Sequence, residues 1–156
     1  MKKYSLLLLI LLLVGFSACK KTTTTPFDAA AQAVTDDATI QAYLKANNIT
    51  ATKDPSGLYY TIIKAGTGAF PTASSNVTVS YSAMFTDGTV FDHQPSAYFS
   101  LATGVIKGWQ IGVPHINDGG TIELFIPSAL GYANVATGAV PANSVTIFTI
   151  GLQGFN

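Results

Sequence analysis

The residues of this chain that could take part in chemistry are mainly aromatic, because few of its residues carry a charge. Trp109 is the only tryptophan, and it ends the run Val105–Trp109, whose sequence is VIKGW. Tyr81, the pair Phe91–Asp92 and Tyr132 stand in the segments before and after this run. Together these residues predict an aromatic pocket with very few polar groups. Such a pocket narrows the chemistry to reactions that need little charge.

Reactions that use a metal ion or an activated nucleophile find few of the residues they require. The two histidines, His93 and His115, are isolated, whereas metal sites need several His, Cys or carboxylate ligands at close spacing. No Gly-x-Ser-x-Gly motif accompanies the pair Asp92–His93, so a hydrolase is poorly supported. The glycine-rich segments also lack the patterns that bind nucleotides. We therefore expect no metal site and no other cofactor.

Rotation about a peptide bond is a reaction that needs no such groups. Its barrier is about 18–20 kcal/mol, because resonance stabilises the planar amide. Bonds that precede proline exchange between cis and trans slowly enough to limit folding. The twisted transition state has lost this resonance and much of its polarity, so a dry aromatic pocket should bind it better than the planar amide. A thousandfold acceleration would need only about 4 kcal/mol of differential binding.

The N-terminal residues predict export and a lipid anchor. A basic start at Lys2 and Lys3 precedes an apolar run over residues 6–16. That run is shorter than the roughly 20 residues of a spanning helix and is typical of a secretory signal. Phe16–Cys19 resembles the lipobox of bacterial lipoproteins, where the cysteine is lipidated after cleavage, although position 16 is more often aliphatic. An incidental Cys19 after an ordinary signal is the alternative.

Composition limits the size of the domain and the class of partner. The 156 residues suit one small domain with appendages, and 48% hydrophobic residues allow a sizeable core. Without residues 1–18, six lysines face eight acidic residues, which gives a formal net charge of −2, and the chain has no arginine. Because no basic patch is available for phosphate groups, we expect no nucleic acid partner. The single cysteine excludes an internal disulfide.

The segment before the domain divides into a tether and a helix. Residues 1–18 are the predicted signal peptide, and residues 19–34 a flexible tether that begins with polar, low-complexity sequence. Thr35–Asp37 provides a cap and acidic residues for a helix, in which Ile40, Tyr43 and Leu44 recur at helical spacing. Residues 35–57 are the expected helix and linker. The helix could pack on the domain or hold neighbouring chains together.

Strands account for most of the remaining chain. Residues 77–85 alternate between apolar and polar side chains, which places Tyr81 on the apolar face. A short helix is expected from Lys107, and Pro114 should shorten or kink it. The expected strands are residues 58–63, 77–85, 89–92, 98–101, 121–127 and 145–152.

Four ordered motifs carry a family resemblance: VTVSYSAMFTDGTVFD at 77–92, VIKGW at 105–109, IPSALGY at 126–132 and VPANSVTIF at 140–148. They resemble the successive motifs of the FKBP-type peptidyl-prolyl isomerases, over about residues 58–152. The resemblance implies an α+β fold, in which an antiparallel β-sheet curves around a short central helix. The N-terminal helix and the lipidated tether would precede this domain, which we place at residues 58–156.

The resemblance also implies a role for each matched position. Trp109 would be the floor beneath the proline ring, and the backbone N–H of Ile106 would bind the carbonyl that follows the proline. The Tyr132 hydroxyl would hydrogen-bond the substrate backbone, and Asp92 would be the polar group at the rim. The other matched positions are apolar: Tyr81, Phe91 and Phe148 as walls, Val105 beside Ile106, and Val140 at the rim.

Alternatives and departures accompany these assignments. Tyr81, Val105, Phe148 and Trp109 could be plain core residues, and Asp92 could merely cap a hairpin. Ala97 stands where the family has an aromatic wall, unless Tyr98 or Phe99 fills that place. Ala133 stands where a glycine often follows the tyrosine, and the loop to Val140 is short. These departures bear on efficiency and sequence preference more than on the fold.

The function implied by the resemblance is isomerisation of X-Pro bonds in exported polypeptides, without a cofactor. Its substrates would be extended segments with an apolar residue before proline, and macrolide inhibitors would be further ligands of the pocket. The lipid on Cys19 would hold the domain at the outer membrane of a diderm bacterium, facing the periplasm. A non-catalytic peptide-binding or chaperone module is the alternative. A lipoprotein that uses the fold only as an interaction surface is a third hypothesis.

Overall fold

A computed structural model describes residues 26–156. The predicted signal peptide, the lipidation site at Cys19 and residues 19–25 of the predicted tether lie outside the described residues. No helix between residues 26 and 156 is long and apolar enough to cross a membrane. The helices are α1 (Ala29–Ala46) and α2 (Lys107–Gly112), and the strands are β1 (Thr52–Lys53), β2 (Tyr59–Lys64), β3 (Asn76–Phe85), β4 (Val90–Ser100), β5 (Thr121–Ile126) and β6 (Thr146–Phe155).

The six strands form one antiparallel sheet in the order β1-β2-β5-β6-β3-β4. Alternate side chains of a strand point to opposite faces, so each face needs its own cover. Helix α2 packs against one face, and the larger core lies between them. Its fully buried members include Val79, Leu124 and Ile150. The antiparallel sheet with a short central helix confirms the predicted fold class.

Helix α1 lies against the other face of the sheet. Ile40 and Leu44 are buried there in a second apolar cluster with Tyr59, Phe125 and Ile147. Because residues four apart share one side of a helix, Ile40 and Leu44 form a continuous stripe. The predicted spacing of the helix was therefore correct, and the helix packs on its own domain.

The predicted start of this helix was wrong by several residues. The helix begins at Ala29, where the Asp28 carboxylate accepts hydrogen bonds from the backbone N–H groups of Ala30 and Ala31, both at 3.0 Å. Asp28 caps the helix before Thr35 can, and the alanines that follow are the best helix formers. Asp36, expected as an acidic residue at the N-terminus of the helix, lies two turns inside it and is buried.

Strand β4 forms one edge of the sheet and joins two strands that were expected separately. Its pairing with β3 shifts register between Val79 and Tyr81 and again near Ala83, which are irregularities of the bulge type. Pro95 lies in this strand, and its carbonyl accepts a hydrogen bond of 2.9 Å from the Gln153 side chain. Proline is tolerated at a sheet edge because an edge strand has unpaired N–H positions.

Helix α2 is short, as the position of Pro114 in the sequence predicted. It ends at Gly112 and continues as a 3-10 turn over Val113–His115, with Pro114 near the start of that turn. Proline lacks the N–H that a continuing α-helix would need, but it is accepted in the first turn of a new helical segment. The chain can therefore turn after α2 and enter β5.

Candidate active site

A cavity of about 430 Å³ lies among strands β3, β4 and β6, helix α2 and two loops. Each strand contributes one or two residues to it, and the loop before α2 contributes residues 103–106. The structure thus brings together most of the residues predicted from sequence. The lining residues are Tyr81, Asp92, Phe99, Thr103, Gly104, Val105, Ile106, Trp109, Tyr132 and Phe148.

Trp109 is the base of this cavity and is only 3% exposed. Tyr81, Phe99 and Phe148 each meet it edge-on, with ring centroids 5.3, 5.5 and 5.5 Å away. Edge-to-face contacts at these distances are favourable, since the positive edge of one ring meets the negative face of another. Three such neighbours fix the orientation of the indole ring, and the cavity keeps a rigid apolar floor.

Two glycines of α2 allow this floor to sit close to the sheet. A Cβ atom on Gly108 would lie 2.7 Å from Ile126 Cδ1, and one on Gly112 would overlap the Leu124 side chain. Real Cβ atoms essentially never approach neighbours so closely. The helix can therefore rest directly on β5 only because both positions lack a side chain, and this approach sets the depth of Trp109.

The polar rim is built around Asp92, which is exposed on β4. The Tyr81 hydroxyl donates a hydrogen bond of 2.7 Å to Asp92 Oδ2. Burial, followed by the hydrogen bond to Asp92 and its negative charge, raises the pKa of Tyr81 to about 12. The phenol thus remains protonated at physiological pH, and its hydroxyl keeps donating to the carboxylate.

Tyr132 stands on the same rim, in the loop that follows β5. Burial, with a smaller contribution from the charge of Asp92, raises the pKa of Tyr132. Two hydrogen bonds hold its loop: the N–H groups of Gly131 and Ala133 both donate to the Ser128 carbonyl, at 3.0 and 2.7 Å. The Tyr132 side chain is therefore presented from a tight turn, with a hydroxyl that can donate to a ligand.

The loop before α2 offers backbone groups to the cavity. Ile106 has extended backbone angles (φ −66°, ψ 158°) as the N-cap of α2, and its carbonyl accepts the N–H of Trp109 at 3.1 Å. Within residues 26–156 its own N–H has no hydrogen-bond partner, as is common at the start of a helix. The Gln110 side chain donates to the Val105 carbonyl at 3.3 Å, which steadies the loop.

Comparison with known proteins gives the family of this chain. A family model described as FKBP-type peptidyl-prolyl cis-trans isomerase matches residues 68–153, more than half of the sequence. The chain belongs to this family. FK506-binding protein 1 of Dictyostelium discoideum is 41% identical over 105 residues, which cover 64% of this chain and 98% of that protein.

Two further relatives are longer than this chain. Outer membrane protein MIP of Legionella longbeachae is 42% identical over 103 residues, which cover 63% of this chain and 44% of that protein. The crystal structure of FkpA from Escherichia coli superposes with a TM-score of 0.70 and 29% identity, over 81% of this chain and 64% of that one. The chain thus spans less than half the length of several curated relatives it matches.

Phe99 is a pocket residue that the FKBP motifs of this sequence did not identify directly. Ala97, at the expected wall position, pairs with Val79, while Tyr98 is 63% exposed and points away. The extra residues of the β4 bulge move the aromatic wall to Phe99, which contacts Trp109. Of the two substitutes considered from sequence, Phe99 occupies the site. Thr103 and Gly104 were also missed, because loop residues give no periodic signal.

Two residues assigned to the site from sequence do not line the cavity. Phe91 stacks on Phe85, with ring centroids 4.6 Å apart, and meets the edge of Phe148 at 5.9 Å. It supports the wall from behind rather than forming it. Val140 is buried, and its backbone pairs with Thr137 in a tight turn. Val140 is buried and Phe91 partly buried, as apolar side chains often are, and sequence alone cannot distinguish such packing from a place at the rim.

Ala133 has a left-handed backbone conformation, with φ +54°. This explains why glycine is common after the tyrosine in this family, because the left-handed conformation destabilises a residue with a Cβ atom by roughly 1–2 kcal/mol. Glycine would remove this strain, but it would also make the unfolded chain more flexible, which lowers the free energy of unfolding by about 0.5–1 kcal/mol. We expect Ala133→Gly to raise the free energy of unfolding by about 0.5–1 kcal/mol, measured by urea denaturation.

Ala129→Gly is the matched control for this substitution. Ala129 is exposed on the same turn and does not have a positive φ. Glycine there should leave stability unchanged or lower it, since it only adds freedom to the unfolded chain. A loss of stability in both variants would contradict the strain assigned to Ala133.

The Tyr81–Asp92 hydrogen bond has a consequence at high pH. The pKa of Tyr81 is about 12 in the folded chain against an ordinary 10.0, so the fold favours the protonated phenol. The stability from this group is complete below pH 10 and is lost as pH rises towards 12. In Asp92→Asn the pKa of Tyr81 should fall, yet stay above 10.0, because burial is the larger cause.

This titration can be followed through the ring carbon resonances of Tyr81 by NMR. Asp87→Asn is the control, because Asp87 is an exposed carboxylate of the nearby hairpin turn whose side chain accepts only from the Thr89 N–H. It should leave the Tyr81 pKa unchanged. Equal Tyr81 pKa values in the parent and Asp92→Asn would show that the phenol does not sense the Asp92 charge.

Proposed function

We propose that this chain catalyses cis/trans isomerisation of X-Pro peptide bonds. The observation that carries the proposal is the rigid aromatic floor of Trp109, enclosed by Tyr81, Phe99 and Phe148. A proline ring is compact, apolar and of a size that such a cavity accepts. Membership of the FKBP-type isomerase family supports the same reaction.

Catalysis here is differential binding of a twisted amide. A planar amide entering an apolar cavity gives up hydrogen bonds to water, whereas a twisted amide has less charge on its carbonyl oxygen and loses less. The walls of the cavity offer almost no partner to the planar form. The barrier of about 18–20 kcal/mol would be lowered without any proton transfer or covalent intermediate.

The few polar groups of the rim would hold the peptide on either side of the rotating bond. The Ile106 N–H would bind the carbonyl that follows the proline, and the Tyr132 hydroxyl would donate to another backbone carbonyl. Asp92 would act by fixing the Tyr81 hydroxyl, to which it is already bonded at 2.7 Å. Val105, Phe148 and Tyr81 would contact the proline ring from the sides, and Phe91 and Val140 would support them.

The substrates proposed are extended segments of unfolded polypeptides. An apolar residue before proline suits the predominantly apolar lining, which a charged side chain could enter only by losing its hydration. Macrolide inhibitors are proposed as competing ligands, since they would fill the same aromatic cavity. No cofactor and no nucleic acid are needed for this reaction.

The cellular site we propose is the outer membrane of a diderm bacterium, with the domain facing the periplasm. The supporting features are the signal-like residues 1–18 and the lipobox-like Phe16–Cys19. A relative named outer membrane protein MIP is consistent with an envelope location. Several acyl chains on Cys19 would hold the protein stably on a bilayer. The clients would then be exported proteins during folding.

Isomerase activity is tested by NMR exchange of a Leu-Pro or Phe-Pro peptide with the full chain in detergent micelles. Trp109→Leu keeps an apolar side chain but removes the flat floor, so kcat/KM should fall at least about tenfold, which corresponds to about 1.4 kcal/mol of transition-state binding. Tyr98→Leu is the control, because Tyr98 is exposed outside the cavity. It should match the parent.

The result that would contradict the proposal is exchange no faster than the blank from a demonstrably folded parent. Retained binding of the same peptide would then favour a non-catalytic peptide-binding or chaperone module. Equal losses in Trp109→Leu and Tyr98→Leu would show that the effect does not come from the cavity.

The lipid anchor is tested separately, by expressing Cys19→Ser beside the parent. Since Cys19 is the only cysteine, its replacement removes every thiol that could be acylated. We expect radiolabelled palmitate to enter the parent but not the variant, and the parent alone to fractionate with membranes. Protease added to intact cells should leave the domain uncut if it faces the periplasm. Labelling of Cys19→Ser would refute this site.

A further inference from the structure

Asp36 of helix α1 is a buried carboxylate whose place the isomerase chemistry does not explain. It is 2% exposed and takes part in no salt bridge within residues 26–156. A carboxylate is costly to bury unless hydrogen bonds replace its hydration. Three donors do so here: the Ser128 N–H and hydroxyl bind Oδ2 at 2.8 and 2.6 Å, and the Gln32 side chain binds Oδ1 at 2.7 Å.

Ser128 connects this carboxylate to the rim of the cavity. It is 2% exposed and begins a 3-10 turn, Ser128–Leu130, which is separated from β5 by Pro127 alone. Its carbonyl accepts the N–H groups of Gly131 and Ala133, the residues on either side of Tyr132. Asp36 thus holds the N–H and hydroxyl of the residue whose carbonyl holds the Tyr132 loop.

Packing of α1 does not require this contact. Ile40 and Leu44 already attach the helix to the sheet through Tyr59, Phe125 and Ile147. Asp36 reaches none of these residues by hydrogen bond, and both of its long-range bonds go to Ser128, 92 residues away in sequence. The hydrogen bonds of Asp36 therefore connect α1 to a single turn, whereas the apolar contacts of Ile40 and Leu44 connect α1 to the sheet.

We propose that Asp36 is a positioning residue, which sets the place of the Tyr132 hydroxyl through Ser128. Helix α1, outside the residues matched by the family model, then becomes part of the isomerase site. The expected loss of catalysis without Asp36 rests on the proposed function, because it requires that Tyr132 binds the substrate. The expected loosening of the Tyr132 loop without Asp36 is independent of that function.

Asp36→Ala removes all three hydrogen bonds and should lower kcat/KM about tenfold, since small displacements of a binding group are costly to catalysis. Asp36→Asn is the rescue variant, because one amide oxygen can accept both Ser128 bonds while the Gln32 amide turns to meet the new NH₂ group. The kcat/KM of this variant should stay within about twofold of the parent, because the remaining amide oxygen still accepts the hydrogen bonds from Ser128. Ile40→Ala loosens the same helix without touching Ser128 and is the control.

A double-mutant cycle separates positioning from general loosening. If Asp36 acts through Tyr132, Asp36→Ala should cost less than about twofold in a Tyr132→Phe background, because the hydroxyl it positions is already gone. An independent readout is hydrogen exchange at the amides of Gly131 and Ala133. Exchange should speed up in Asp36→Ala and not in Ile40→Ala or Asp36→Asn.

Three outcomes would overturn the positioning role. These are unchanged amide exchange in Asp36→Ala, equal activity losses in Asp36→Ala and Ile40→Ala, and a full tenfold loss that persists in the Tyr132→Phe background. Ser128→Ala, which removes only the hydroxyl bond, should show a smaller change of the same kind if Asp36→Ala fails to fold. A parent that is folded but inactive would refute the proposed function alone. Amide exchange at Gly131 and Ala133 would still show whether Asp36 holds the Tyr132 loop.

Discussion

The close approach of α2 to β5 is the constraint on which the rest of the site depends. It exists because Gly108 and Gly112 have no side chains where Ile126 and Leu124 lie against the helix. The distance of a helix from the element it packs on is set by the side chains between them. With no side chain at either glycine, the helix lies directly on β5, where Trp109 forms the floor of the cavity and the strands around it form the walls. A deeper or shallower helix would leave no cavity of this shape.

The cavity also shows how a site can be selective with few polar groups. Its polar side chains lie at the rim, where the Tyr81 hydroxyl donates to the Asp92 carboxylate. A buried polar group without a partner would favour the planar, polar amide and work against rotation. The economy of polar groups that was visible in the sequence is therefore part of the chemistry proposed, and it is consistent with a reaction that breaks no bond.

Local patterns predicted the parts of the fold that depend on local physics. Alternation placed Tyr81 on the apolar face of β3, and helical spacing placed Ile40 and Leu44 on the packed face of α1. The start of α1 was wrong because Asp28 caps earlier than Thr35. Phe99 was left as one of two alternatives because a bulge changes which residues face inwards, and nothing local marks its position. The bond from Asp36 to Ser128 joins residues too distant in sequence for any periodic pattern to reveal.

The edge strand β4 would have a consequence for the proposed handling of unfolded chains. An open edge is a template on which a foreign strand can add, and a client held in the adjacent cavity would be such a strand at high local concentration. Pro95 has no N–H to donate from β4, and its carbonyl already accepts a hydrogen bond from the Gln153 side chain. One bulge contains Pro95 and a second lies between Val90 and Asp92, and both interrupt the regular ladder that a long β-partner would need. Strand β4 is thereby protected against co-aggregation with the polypeptides that the cavity would release.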